Sequence, residues 1–184
     1  MPTLIDRQGR RDDVWTQLAA IDAQAADASQ AEDEATLPAG ASVLLPLRRW
    51  LHERERWLAH AGPKGVLLEP SDDPAAIADD LPALSLVAVD FPTFTDGRGY
   101  SIARLLRERH GWRGELRAMG DVLRDQLFYM ARCGFDTFDL ADGADVDAAL
   151  AAFADFRDAY QAAFDRDALF ARRLGAGRGH EAAS

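Results

Sequence analysis

The residues of this chain best suited to chemistry fall in one stretch, FPTFTDGRGYS, residues 91 to 101. An arginine between two glycines offers a planar guanidinium on backbone that can approach a ligand closely. Ser101, with the free amides of Tyr100 to Ala103, would open a helix whose N–H groups attract anions. Arg98, Gly99, Tyr100 and Ser101, joined by Arg124 one turn into the next helix, are therefore the expected anion- or partner-binding residues. Asp96 and Asp121 are the candidate proton carriers, with Asp90 at a strand end beside them, yet no His, Cys or Lys partner completes a mechanism. The same residues also fit a purely local role. In that case Asp96-Gly97 is a turn, Ser101 caps a helix, and Arg98 pairs with Asp121 or Asp125.

Several chemistries lack their residues. GRGYS has no third glycine at dinucleotide spacing, and DGRG has no P-loop lysine, so nucleotide binding is disfavoured. His52, His60, His110 and His180 are scattered, and no metal is expected. The single cysteine, Cys133, excludes an internal disulfide and clustered thiolates. It follows Met130 on an apolar helix face, where a core role suits it better than nucleophilic attack. No motif binds a cofactor, so electron transfer would need a borrowed one, and the sequence does not identify a flavin or haem.

A net charge of -10 and a pI near 4.8 argue against nucleic-acid binding, which needs a basic footprint. The charge is uneven. Residues 97 to 133 carry eight arginines against four acids, and residues 134 to 170 carry two arginines against nine acids. The first block is a candidate anion-binding surface and the second a candidate docking face, although solvation explains either one as well. No window resembles a membrane span, and MPTLIDRQGRRDD has charges where a signal peptide needs an apolar run. A cytoplasmic location is expected.

The elements that must position these residues can be read from periodicity. TLIDRQGRRDDVW suggests a short strand, a turn and the start of a helix near Trp15, followed by an acidic linker, so residues 1–36 form an N-terminal extension. Residues 37–174 form one domain, and residues 175–184 a flexible tail. Within the domain, SVLLPL, GVLLEP, LSLVAVDFP, GELRAMG and FDTFDL read as strands. Leu47, Trp50, Leu51, Arg54, Trp57 and Leu58 mark the face of one helix between them. Ser71 or Asp72, Asp121 and Asp145 are the expected N-caps of further helices, the last running inward through Ala149, Leu150, Phe153, Phe156, Tyr160 and Phe164.

Five strand–helix alternations with short loops imply an α/β fold with an open, partial-barrel-like parallel sheet, the alternative being a doubly wound sheet. In both, ligands collect at the carboxyl ends of the strands, where DFPTFTDGRGYS, MGDVLRD and DLADGADVD would meet. A homodimer would be one way to cover the sheet edges.

The run from Phe91 to Phe138, together with VLLPLRRWL and GVLLEP before it and the DAYQ and LFARR segments after it, closely resembles a bacterial family, domain of unknown function nine-three-four. The resemblance covers most of residues 42 to 173. Members of that family are described as oxidoreductases of sulfite reduction because they are encoded beside assimilatory sulfite reductase. The resemblance therefore implies a role in sulfate assimilation, and with no redox motif in the chain the expected role is accessory. Its partner would be sulfite reductase or its electron donor, met by the Arg98 loop through an anionic substrate or an acidic patch. The rival expectations are a small-anion enzyme using Asp96 or Asp121, and a structural dimer without ligand.

Overall fold

The computed structural model describes residues 3–19 and 37–153. Seven strands form one sheet: β1 (Thr3–Ile5), β2 (Trp15–Gln17), β3 (Ser42–Pro46), β4 (Lys64–Leu68), β5 (Leu86–Phe91), β6 (Glu115–Gly120) and β7 (Thr137–Leu140). Their order across the sheet is β1-β7-β6-β5-β4-β3-β2, with every pairing parallel except that of β1 with β7. The sheet curls into a half-barrel. Five parallel units were expected. The sixth parallel strand is β2, and Trp15 stands in it rather than at the start of a helix, its backbone in register with Ser42.

Strand order that follows chain order, with parallel crossovers of one hand, puts all the crossovers on one face. A doubly wound sheet is thereby excluded, because it would need the order to reverse. The two faces are legible in the strand alternation. Val43, Leu45, Val66, Val87, Val89, Leu116 and Phe138 join the helices in the main core. Leu44, Leu86 and Ala88, with Trp15, Leu67 and Met119 against them, form a smaller apolar cluster on the opposite, inner face. Both sheet edges are short strands of three residues, which leaves few unpaired backbone groups for another chain.

The crossover after β3 begins as helix α1 (Leu47–His52) and is broken at Glu53 before α2 (Arg54–Leu58). Trp50 and Trp57 are buried as their spacing predicts, but Leu51 and Leu58 are exposed because the break turns the stripe. The crossover from β4 to β5 carries only two 3₁₀ turns, Pro74–Ile77 and Leu81–Ala83. Asp73, rather than Ser71 or Asp72, caps the first of these by accepting from the Ala75 N–H. Between the two turns sits Asp80, which accepts from the indole N–H of buried Trp50 at 2.8 Å and from Arg54 Nε at 2.9 Å. Burial pushes the Asp80 carboxyl up, yet the hydrogen bonds from Arg54 and Trp50 outweigh it and hold the group below its ordinary value. Its contribution is therefore present above that ordinary value and is lost as pH falls through the lowered one. Asp80→Ala strands the Trp50 N–H, and urea unfolding should show a loss of about 1–2 kcal/mol at neutral pH that fades in acid.

Helix α3 (Arg98–Arg104) runs into a π-helical turn, Leu105–Arg109, which brings Arg107 under the sheet. Its guanidinium donates to the carbonyls of Gly134, Trp112 and Gly114 and to Asp136. After β6, a 3₁₀ turn, Arg124–Gln126, leads into α4 (Leu127–Cys133), which Gly134 ends in the left-handed conformation. Helix α5 (Val146–Ala152) is capped by Asp145, as expected, through the Ala148 N–H. Ala149 faces the core from α5 and Phe153 stacks on Phe138, whereas the expected inward positions Phe156, Tyr160 and Phe164 lie outside the described residues.

Candidate functional site

The loops after β5 and β6 meet at the carboxyl end of the sheet, where ligands were expected. Asp121 follows Gly120, whose φ of 94° places it in the left-handed region, and the Asp121 N–H donates back to Phe91 O. A side chain at position 120 would also press on Phe91 O, so glycine is required there on both counts. Asp121 does not cap the following helix. Its Oδ2 instead accepts from the Phe94 N–H at 2.9 Å, and Gln126 Nε2 donates to Phe94 O at 2.7 Å. Both backbone polar groups of Phe94 are thus held by the neighbouring loop. This locks the opening of FPTFTDGRGYS to the MGDVLRD segment.

The predicted residues are differently employed. The helix begins at Arg98 rather than Ser101, because Asp96 Oδ1 takes the Arg98 N–H and so fixes the first turn three residues earlier. The amides of Tyr100 onwards are consequently not free, the first of them donating to Gly97 O. Arg98 pairs with neither Asp121 nor Asp125. Its guanidinium forms a fork with Asp96, Nε to Oδ1 at 3.0 Å and Nη2 to Oδ2 at 2.7 Å, while remaining exposed. The Arg98 hydrogen bonds hold the Asp96 carboxyl below its ordinary value, so Asp96 is an anion and no reservoir of protons near neutrality.

Gly99 serves packing. A Cβ there would fall 2.6 Å from Cζ of buried Phe91, so the glycine lets α3 lie directly on β5. Tyr100 stacks edge-on to Phe91 at 5.3 Å and against Tyr129 at 5.0 Å, and burial is the main cause that pushes its hydroxyl up to about 12. Ser101 is exposed on the helix. Arg124 Nε donates to Ala148 O of α5 at 2.8 Å. Arg98 and Arg124 therefore engage separate partners. Cys133 is buried with its thiol pushed up by burial, in keeping with a core role.

What the two locked loops present outward is apolar. Phe94 is 52% exposed, Tyr129 53% and Leu123 37%. Phe94 and Leu123 share Gln126, whose side chain donates to Phe94 O and accepts from the Leu123 N–H. Tyr129 rises one turn further along and rests on Tyr100. Sequence reasoning passed over Phe94, Gln126 and Tyr129, and Leu123, whose spacing with Leu127 and Met130 suggests the inward face of one helix, instead precedes the helix and is exposed. The one signal available was Tyr129, an aromatic set off the apolar stripe of Leu127 and Met130. Among the described residues no group of His, Cys, Asp or Glu is placed to hold a metal, and no helix is long and apolar enough to cross a membrane.

An α/β half-barrel with paired loops at its carboxyl end defines the class of protein. Residues 65–170 match the model of a family described as bacterial protein of unknown function (DUF934), and the chain belongs to that family. The match begins within β4 and takes in β5 to β7, so the two locked loops lie inside it. No curated protein matches the chain.

Proposed function

We propose that this protein is an accessory factor of assimilatory sulfite reduction that docks onto sulfite reductase or its electron donor through the locked loops after β5 and β6. The exposed trio Phe94, Leu123 and Tyr129, with the exposed Arg98 in the same stretch as Phe94, carries the docking part of this reading. Aromatic side chains and arginine are the residues that dominate binding energy at protein interfaces. Here they stand on backbone fixed by Asp121 and Gln126, so little conformational entropy is lost on association. The resemblance to proteins encoded beside sulfite reductase supplies the identity of the partner.

The same geometry favours docking over catalysis. A sulfur oxyanion at Arg98 would have to displace Asp96 from its fork, whereas an acidic partner residue needs only the outer edge of an exposed guanidinium. Tagged protein purified from cells grown on sulfate should retain sulfite reductase subunits or their electron donor. Phe94→Ser and Arg98→Ala should each lose them while keeping the native melting temperature, since an exposed ion pair contributes little to stability. Native protein that retains neither would overturn the docking assignment. A rise in melting temperature with millimolar sulfite, abolished by Arg98→Ala, would instead mark an anion site.

A further inference from the structure

Opposite the helices, the inner face of the sheet is crossed by an N-terminal segment of the chain. Seven strands in line set β1 and β2 at opposite edges, about 29 Å apart along the sheet. The chain connects them by a far shorter route. Arg11, whose N–H donates to Leu4 O, lies beside β1, and Trp15 opens β2, so at most about 14 Å of extended chain separates the two. Residues 11–14 therefore pass over the open side of the half-barrel, and they belong to no helix, strand or turn.

An ion pair ties this segment to the sheet beneath it. Strand alternation turns Arg117 of β6 to the inner face, in register with Ala88 of β5, and its Nη1 donates to Asp13 Oδ1 at 3.0 Å across 104 positions of sequence. The same oxygen accepts from the Trp15 N–H at 3.1 Å, which carries the tie on to β2. The two partners are unlike, the Arg117 side chain being 2% exposed and that of Asp13 42%. Arg117 also donates through Nε and Nη2 to Glu115 Oε1, which accepts in addition from the Thr137 hydroxyl at 2.7 Å. Departure of Asp13 thus leaves the guanidinium paired, without the full penalty of a stranded buried charge. Val14, beside Asp13, is exposed rather than packed. On the face below are Leu44, Leu86 and Ala88, with Trp15 and Met119 packed against them.

We propose that residues 11–14 are a strap that opens and closes the inner face of the half-barrel, with the Asp13–Arg117 ion pair as its latch. Arg10 bridged to Ile5 and Trp15 paired with Ser42 hold its two ends. Release of the latch lifts the stretch between them and uncovers the apolar floor, while the helices on the far face stay in place. The strap is independent of the loops after β5 and β6, and the two readings can fail separately.

The test labels the full chain carrying Ala88→Cys with iodoacetamide, mass spectrometry following the two thiols separately over a urea series below the unfolding transition. Cys133, buried in the core on the helical face, reports global unfolding, so its rate should climb with urea. The thiol introduced on the inner face should react at a rate nearly independent of urea, because a local opening exposes little surface. Asp13→Ala should speed that reaction about tenfold or more, as expected for loss of a charge-assisted hydrogen bond. Circular dichroism and a cooperative melt confirm that each variant is folded, and Leu44→Cys serves as a second inner-face position. The proposal is overturned if the inner-face thiol follows the same urea dependence as Cys133, since the face then opens only when the protein unfolds. It is equally overturned if Asp13→Ala leaves the inner-face rate unchanged.

Discussion

Arg107→Met should destabilise the protein by about 3–5 kcal/mol, the largest effect of any single change considered. The guanidinium is held inside the fold and is the shared donor to Gly134 O through Nε and Nη2, to Trp112 O and Gly114 O through Nη1, and to Asp136. Those carbonyls belong to the two loops that lead into β6 and β7, so one side chain fixes the entry of both strands. Asp136 in turn accepts from the Leu116 N–H at the start of β6, which closes the network. Methionine fills much of the volume but leaves the buried carbonyls without donors, each a further cost. Arg107→Lys should recover only a part, because one ammonium cannot reproduce a fork aimed in two directions. Urea unfolding of both variants measures this. A loss below about 1 kcal/mol in Arg107→Met would mean that water replaces the guanidinium without penalty.

The network also marks where sequence reading stops. The five strands from β3 to β7 are legible because each is a short apolar run between turn residues, and burial from both sides leaves little else that SVLLP or LVAVDF could be. β2 is not legible, since WTQ has one apolar residue and its strand character comes from pairing with β3. Helix starts shifted for local reasons. Asp96 captured the Arg98 amide and Asp121 was drawn across to Phe94, a contact spanning 27 residues that no spacing reveals. The spacing of Arg107 with Arg104 and Glu108, opposite Ile102, Ala103 and Leu106, predicts an outer position on an amphipathic helix, yet Arg107 is buried where the helix passes into the π turn. At the inner face a signal was present. Glu115 and Arg117, then Thr137 and Asp139, alternate with buried apolar residues in period two, the pattern of strands with one polar face.

Asp139→Leu should have the opposite sign, stabilising the protein by about 2 kcal/mol at neutral pH. Burial, the largest influence on this carboxyl, raises it above its ordinary value of 3.8, with Arg117 drawing it down and Asp13 pushing it up. The charged groups that bear on it are these two, with Glu115 holding the Arg117 guanidinium beside them. Because the folded pKa is the higher one, the native state keeps its proton over an interval in which the unfolded chain has lost it. Stability of the native sequence therefore falls as pH rises through that interval, and the cost persists in full above it. Leucine carries no such cost, so the gain measured by urea unfolding should be largest near pH 7.5 and should shrink as pH is lowered toward 4. Unfolding that is unchanged, or easier, at pH 7.5 would mean that Asp139 has a compensating partner and is a structural group. A gain that shrinks in acid means that the fold carries this acid at a net cost when it is ionised.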